Sequence, residues 1–144
     1  MFVLPLALRA RLLQEACAAS PRECCGLIEG RWLKGGGIEA LALHPARNLA
    51  AEPDRFAIDP ADHLRVQRTA REGGAVIVGC YHSHPEGRPE PSDRDRAGAS
   101  ERDFVWLIAG QWDQISAYVV DGAGFQALTL VPEGPLDPAR GLRV

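Results

Sequence analysis

The sequence has little of several features that would assign it to a class of protein. Only four of its 144 residues are cysteine, two of them adjacent, so we predict neither a disulfide framework nor a Cys-x-x-Cys zinc half-site. The 16 basic residues against 19 acidic ones argue against a nucleic-acid binder with a basic surface. No apolar run approaches the roughly 20 residues that span a bilayer, and Met1–Leu8 is too short for a secretory signal. We therefore expect a cytoplasmic protein with reduced cysteines and without a membrane partner.

The length is sufficient for one domain with its own hydrophobic core. A globular chain of 144 residues can bury roughly two thirds of the surface that its unfolded form exposes, so folding requires neither a disulfide nor a metal. We find no internal repeat and no domain boundary. We predict one domain over residues 1–131, followed by a Pro-rich tail over residues 132–144.

Hydrophobic periodicity and turn signals predict an α/β fold with a mixed sheet flanked by helices. Helix formers predict a helix over residues 6–19, and a second one is predicted over residues 60–72, with Leu64 among its packing residues. The nearly continuous apolar run of residues 75–82 predicts a strand at the centre of the sheet, and residues 44–60 a long loop. The other predicted strands span residues 23–31, 38–43, 104–109, 115–120 and 125–131.

The central strand leads into residues with the spacing of metal ligands. His82 and His84 are two apart, so in a strand their side chains share a face, and Ser92 and Asp95 follow after a Pro/Gly loop. Two histidines and one carboxylate, with a fourth position open, are the ligands of a catalytic zinc at bonds of about 2.0 to 2.2 Å. We therefore expect one Zn²⁺ per chain on His82, His84 and Asp95.

Simpler interpretations of the same residues stay open. Histidines near the end of a strand can be exposed, and Ser-x-x-Asp is close to an N-terminal capping box. Ser92 can serve both as a helix cap and in a reaction.

Hydrolysis of an amide also needs a base outside the metal ligands, which takes a proton and returns it to the leaving amine. The sequence has no His-Glu-x-x-His motif that would supply one. Glu23 heads an apolar strand, where a charged residue needs an explanation. Glu86, Glu90 and Asp93 remain alternatives.

Two runs of residues resemble the JAMM motif of the MPN+ metallopeptidases. They are Pro21-Arg22-Glu23-Cys24-Cys25-Gly26 and His82-Ser83-His84-Pro85-x6-Ser92-x2-Asp95. Asn48 and the runs at 56–60 and 78–82 also match, so the resemblance covers nearly the whole chain. It implies a β-sheet flanked by helices and related to cytidine deaminases.

The resemblance also implies a role for each residue of the motif. Glu23 would be the general acid/base, and His82, His84 and Asp95 the zinc ligands. Ser92 would stabilise the oxyanion of the tetrahedral intermediate.

The short segment between Asp95 and the next strand limits the class of substrate. It leaves little room for the insertions that relatives cutting polyubiquitin carry. The chain resembles instead the small stand-alone bacterial members, which act on the Gly-Gly tails of ubiquitin-like sulfur-carrier proteins and release cysteine or trim the C-terminus. We expect such a tail to lie beside a strand edge, under the loop over residues 44–60. The oligomeric state, monomer or homodimer, stays open.

Three other functions compete with this interpretation. A zinc nucleoside deaminase would use His84-Pro85-Glu86 but also needs a Pro-Cys-x-x-Cys, which is absent. A catalytically silent MPN scaffold that binds a ubiquitin-like partner usually lacks part of the motif. A peptidase of phage or cell-wall context is the third alternative.

Overall fold

The computed structural model describes residues 1–134, 136–137 and 142–143, and both predicted long helices are confirmed in it. The helices are α1 (Leu6–Ala19), α2 (Pro60–Glu72) and α3 (Asp93–Gly98). The strands are β1 (Phe2–Val3), β2 (Cys25–Trp32), β3 (Ile38–Ala46), β4 (Val76–Ser83), β5 (Val105–Ala109), β6 (Ile115–Asp121), β7 (Gly124–Leu128), β8 (Leu130–Val131), β9 (Leu136–Asp137) and β10 (Leu142–Arg143).

Eight of the strands form one mixed sheet in the order β7-β6-β5-β4-β2-β3-β1-β8. The central position predicted for the strand with the histidines is confirmed, because β4 pairs in parallel with β5 and antiparallel with β2. The register places Cys25 opposite His82. The start of β2 therefore lies beside the end of β4.

The sheet curls until its two edges approach each other. β7 and β8 stand at opposite ends of the strand order, yet only Thr129 separates them in the chain. The amide of Phe2 in β1 also donates to the carbonyl of Thr129, at 2.8 Å. We predicted one strand over residues 125–131, which is wrong because the chain crosses from one sheet edge to the other at Thr129.

Each face of the sheet carries a separate apolar cluster. On one face, Leu12 of α1 belongs to a cluster with residues from strands across the whole sheet, among them Ile28, Tyr81 and Leu107. On the other face, Val66 of α2 belongs to a cluster with Leu27, Cys80 and Trp106. The long helices therefore flank the sheet on its two faces, as predicted.

Several predicted boundaries differ from the structure. β2 begins at Cys25, so Glu23 lies before the strand, and Phe104 precedes β5. β3 continues to Ala46, which shortens the predicted loop over residues 44–60 to residues 47–59. Pro45 is tolerated in this strand because β1 pairs only with its first residues, so at Pro45 one side of β3 has no described strand that would need an amide donor.

The apolar opening of the chain and the second helix also depart from expectation. Phe2–Val3 forms a buried parallel strand between β3 and β8, which two residues were too few to predict. Leu64 is 49% exposed, because the buried side of α2 is the stripe with Val66 and Ala70.

The tail prediction falls partly on residues 135, 138–141 and 144, which lie outside the described residues. In the described part of the tail, β9 and β10 pair antiparallel and form a two-stranded sheet. Along the described ranges, no helix combines the length and the apolar character needed to cross a bilayer.

The close approach of β4 to β5 gives a stability prediction. A Cβ atom on Gly79 would overlap the backbone carbonyl oxygen of Val105, its partner in the neighbouring strand. We expect Gly79→Ala to lower the free energy of unfolding by about 3 kcal/mol and the Tm by about 10 °C in thermal denaturation followed by circular dichroism. Gly35→Ala is the matched control, since a Cβ there meets open space. Equal melting of the two variants would contradict this account of the strand packing.

Candidate active site

The end of β4 places the two histidines of the motif side by side. The Nε2 atoms of His82 and His84 lie 3.0 Å apart, so the prediction that they share a face is confirmed. His82 is fully buried, its ring stacked on Phe56 at a centroid distance of 4.2 Å with Trp106 edge-on at 5.6 Å. Among the described residues, its Nδ1 atom has no hydrogen-bond partner. Aromatic packing therefore holds this ring in place.

His84 is held by a hydrogen bond from the other side of its ring. Its Nδ1 atom lies 3.0 Å from the carbonyl oxygen of Arg88, an acceptor that fixes the proton on Nδ1 and leaves Nε2 free to bind a metal. The loop that carries this carbonyl is tied down by Tyr118, whose hydroxyl donates to the carbonyl of Pro89 at 2.9 Å. The amide of Gln111 also donates to this loop, at 2.8 Å.

The first turn of α3 brings Asp95 to the two histidines. Its Oδ2 atom lies 3.1 Å from Nε2 of His82 and 3.2 Å from Nε2 of His84. The same oxygen accepts the amide of Ser92 at 2.9 Å, while Ser92 Oγ accepts the amide of Asp95 at 3.0 Å. This capping box is the simpler interpretation left open above, and it also fixes the orientation of the carboxylate.

Glu23 reaches the site from the turn between α1 and β2. A carboxylate oxygen of Glu23 and a ring nitrogen of each of His82 and His84 all lie within 4.8 Å of one another. The backbone around Glu23 is held by two hydrogen bonds, one part-buried and one buried. Asn48 Nδ2 donates to the carbonyl of Glu23 at 3.0 Å, and the amide of Cys24 donates to Oγ of Ser83 at 2.8 Å.

The surroundings shift the pKa values of these groups in different directions. Burial raises the pKa of Glu23 to about 7. Burial also lowers the pKa of His82, which favours the neutral imidazole that a metal requires. Burial opposes ionisation of Asp95 too, but its contacts with the two histidine rings and the amide of Ser92 outweigh burial and hold the pKa of Asp95 well below its usual range. In His84, hydrogen bonds to Asp95 and the Arg88 carbonyl outweigh burial and raise the pKa.

The donor atoms fit a divalent metal ion. Two imidazole Nε2 atoms and Oδ2 of Asp95 form a triangle with sides of 3.0 to 3.2 Å. A point about 2.1 Å from each donor, the length of a bond to zinc, lies just off the plane of this triangle. Glu23 is near both histidines as well, so it and Asp95 compete for the place of third ligand. Asp95 fits better, because its oxygen is already in contact with both rings.

The alternative bases are placed less favourably than Glu23. Glu86 and Asp93 line the same cavity but are exposed, whereas Glu23 is buried. Glu90 lines a separate cavity beside Tyr118.

The site opens into a cavity of about 560 Å³. Its described lining residues are Pro21, Glu23, Pro53, Asp54, His84, Pro85, Glu86, Gly87, Ser92, Asp93 and Arg94. A second, more apolar cavity of about 460 Å³ lies on the Trp106 side and shares Asp54 and Arg94 with the first. An ion pair joins these two side chains, Arg94 Nη1 to Asp54 Oδ1, at 2.8 Å.

Sequence reasoning missed four contacts in this site. The packing of Phe56 and Trp106 on His82, the contact of Ser83 with Cys24 and the ion pair of Asp54 all depend on segments far apart in the chain. Asn48 is marked in the sequence only by the family resemblance. Its side chain joins Glu23 to the loop over residues 47–59. An isolated polar residue after a strand gives no signal of such a contact.

The sequence profile of prokaryotic homologs of the JAB domain matches residues 5–121. The chain belongs to this family. The JAMM/MPN resemblance of its motif is thereby confirmed, and so is the predicted fold class. The solution structure of a protein from Desulfitobacterium hafniense superposes with a TM-score of 0.81 at 26% identity, covering 91% of this chain and 92% of that one.

Three relatives of this JAB-domain chain are informative, and the names of the first two describe enzymes. One is named desampylase, from Haloferax volcanii, 34% identical over 83% of this chain and 85% of its own length. Another, from Thermus thermophilus, is named probable TtuB-protein conjugate cleaving protease, 31% identical over 88% of this chain and 70% of its own. A third is named tail tip assembly protein K, from phage N15, 33% identical over 67% of this chain but only 36% of its own length. The chain is a JAMM-family hydrolase.

The contact between Ser83 and Cys24 gives a prediction about how Glu23 is held. Ser83→Ala would leave the buried amide of Cys24 without its acceptor, so we expect a loss of about 1 to 3 kcal/mol in the free energy of unfolding measured with urea. Ser100→Ala is the control, because Ser100 is exposed. A Ser83→Ala variant as stable as the control would show that this hydrogen bond is dispensable.

Proposed function

We propose that this JAB-domain hydrolase cleaves the amide bond that follows the C-terminal Gly-Gly tail of a ubiquitin-like or sulfur-carrier protein, releasing cysteine or another C-terminal group. One observation carries the proposal. Two histidine nitrogens and a carboxylate oxygen of Asp95 converge within 3.2 Å, next to the buried carboxyl group of Glu23. Relatives named for desampylation and for cleavage of TtuB conjugates support a ubiquitin-like substrate. The alternative of a silent scaffold has no comparable support.

The proposed metal is one Zn²⁺ per chain, held by His82, His84 and Asp95. Two neutral imidazoles and one carboxylate leave a fourth position for the reaction, as in catalytic zinc sites. The chemistry supplied by a bound zinc is polarisation of the scissile carbonyl and of the attacking water. A nearby divalent cation would also lower the pKa of Glu23, because positive charge favours the carboxylate.

Glu23 moves the proton in the proposed reaction. Its carboxylate takes a proton from the attacking water as the new C–O bond forms, and gives it to the leaving nitrogen as the C–N bond breaks. The products are the tail with a carboxyl terminus and a free amine. Without a metal, burial raises the pKa of this carboxyl group to about 7, and a bound cation would lower it from there, which favours the carboxylate that accepts the proton.

Ser92 is the proposed donor to the oxygen on which negative charge develops. Its Oγ accepts the amide of Asp95 through a lone pair, so the hydroxyl hydrogen remains free to donate. The residue is exposed to the cavity. Removing one such donor typically slows an enzyme by about 100- to 1000-fold.

The shape of the cavity fits a slender peptide. Three prolines, Pro21, Pro53 and Pro85, contribute to its walls, and the loop over residues 47–59 forms one side. Glycines at the end of a tail have no side chains to collide with such walls. We further propose that residues 1–131 form one catalytic domain and that the enzyme works in the cytoplasm, where its four free cysteines would stay reduced.

Metal analysis tests the proposed ligands. We expect about one zinc per purified wild-type chain and almost none in Asp95→Asn, because loss of one charged ligand weakens a three-ligand site severely. Asp93→Asn is the matched control on the same helix, and it should keep its zinc. Plasma mass spectrometry of the dialysed proteins gives the metal content. Full zinc in Asp95→Asn would assign the third ligand to Glu23 instead.

Cleavage of a tail peptide tests the function and the base together. The zinc-loaded wild type should cut a synthetic peptide that ends in Gly-Gly-Ala after the second glycine. Glu23→Gln should keep its metal but lose about 100- to 10,000-fold in kcat/KM, since the proton transfer is lost. Glu90→Gln, outside the cavity, is the control. Intact peptide after prolonged incubation with wild type would rule out the proposed function, and native turnover in Glu23→Gln would point to another base.

A further inference from the structure

Arg94 is set apart by its charge among the described residues that line the catalytic cavity. Four of those residues are acidic, Glu23, Asp54, Glu86 and Asp93, whereas Arg94 is the single arginine or lysine among them. It precedes Asp95 in the chain and belongs to neither the proposed metal ligands nor the proton relay. A substrate carboxylate entering this acidic cavity would be repelled unless it met this guanidinium.

The contact that Arg94 makes in the structure shows what kind of group it binds. Its Nη1 atom lies 2.8 Å from Oδ1 of Asp54, on the loop across the cavity. The side chains of this pair are 49% and 69% exposed, and an ion pair so open to water contributes little to stability. A second carboxylate can therefore replace Asp54 at little cost, and the planar guanidinium can hold it through two hydrogen bonds.

We propose that Arg94 binds the free α-carboxylate of the residue that leaves on hydrolysis, in exchange for Asp54. This inference rests on the proposed function and names the side of the substrate that Arg94 recognises. The α-carboxylate is attached to the carbon that bears the scissile nitrogen, so in a C-terminal extension it must enter the catalytic cavity. In a lysine isopeptide, the whole lysine side chain separates the nitrogen from the backbone. Arg94 therefore favours removal of a C-terminal residue over cleavage of an isopeptide.

Binding of uncleaved peptides tests the subsite without relying on turnover. In zinc-loaded Glu23→Gln, calorimetric titration would compare a tail peptide that ends in Gly-Gly-Ala as the free acid with the same peptide as the C-terminal amide. We expect the acid to bind about tenfold or more tightly, the range of a charge-assisted hydrogen bond. Adding Arg94→Gln should bring the two affinities together, whereas adding Arg68→Gln, an exposed cation on α2, should keep them apart.

A third peptide, which ends at Gly-Gly as the free acid, separates the leaving residue's carboxylate from that of the product. We expect its affinity to be independent of Arg94. The proposal would be overturned if the acid and the amide bound with equal affinity, or if the preference for the acid survived Arg94→Gln. It would also be overturned if Arg94→Gln weakened binding of the Gly-Gly acid as much as binding of the Gly-Gly-Ala acid.

Measurements of turnover distinguish a failure of this inference from a failure of the proposed function. Wild type should cleave the Gly-Gly-Ala acid with a kcat/KM about tenfold or more above that of the amide, and Arg94→Gln should remove this difference through KM. Cleavage of acid and amide at one rate would refute the carboxylate subsite while the proposed function stands. An Arg94-dependent binding preference without cleavage of either peptide would refute the proposed function and leave the subsite in place.

Discussion

A single oxygen atom, Oδ2 of Asp95, connects the parts of this site. It contacts the Nε2 atoms of His82 and His84 at the end of the central strand, and it accepts the amide of Ser92 at the start of α3. Buried carboxylates are costly without partners, so these three contacts are a condition for the fold around it as well as for the site. The helix cap and the proposed metal ligand are one arrangement. The simple and the functional interpretations of Ser-x-x-Asp are therefore compatible.

The pairing of strands in the sheet brings Glu23 to the two histidines, which is the second condition for the site. Pairing of β2 with β4 puts Cys25 opposite His82, and the hydrogen bond from Cys24 to Ser83 closes the ends of these strands. Asn48 then joins Glu23 to the loop over residues 47–59, which forms a wall of the cavity. A buried carboxyl group, an open cavity and two histidines thus meet at one end of the sheet. This combination supports the proposed hydrolysis of an amide at the end of a slender chain.

The errors in the predicted secondary structure have a common origin. Pro45 indicated a loop, yet it lies in β3, where the neighbouring β1 is too short to need its missing amide. The apolar run at 125–131 reads as one strand, but its two halves pair with opposite edges of a curled sheet. Leu64 fits the pattern of an apolar helix face but points away from the cluster around Val66. In each case the outcome depends on the neighbouring element, which a local pattern does not contain.

The sequence by itself determined the features that follow from local geometry. Residues two apart on a strand share a face, and residues three apart at a helix start form a cap, so the spacing of His82, His84, Ser92 and Asp95 was enough to predict their convergence. Spacing alone left Glu86, Glu90 and Asp93 as alternatives to Glu23. Only the tertiary structure decided that Glu23 lies beside the histidines, because its position depends on a hydrogen bond between Cys24 and Ser83, which are 59 residues apart. It also decided that Arg94 faces Asp54 across the cavity. Such contacts depend on strand pairing and sheet curvature, which no short segment specifies.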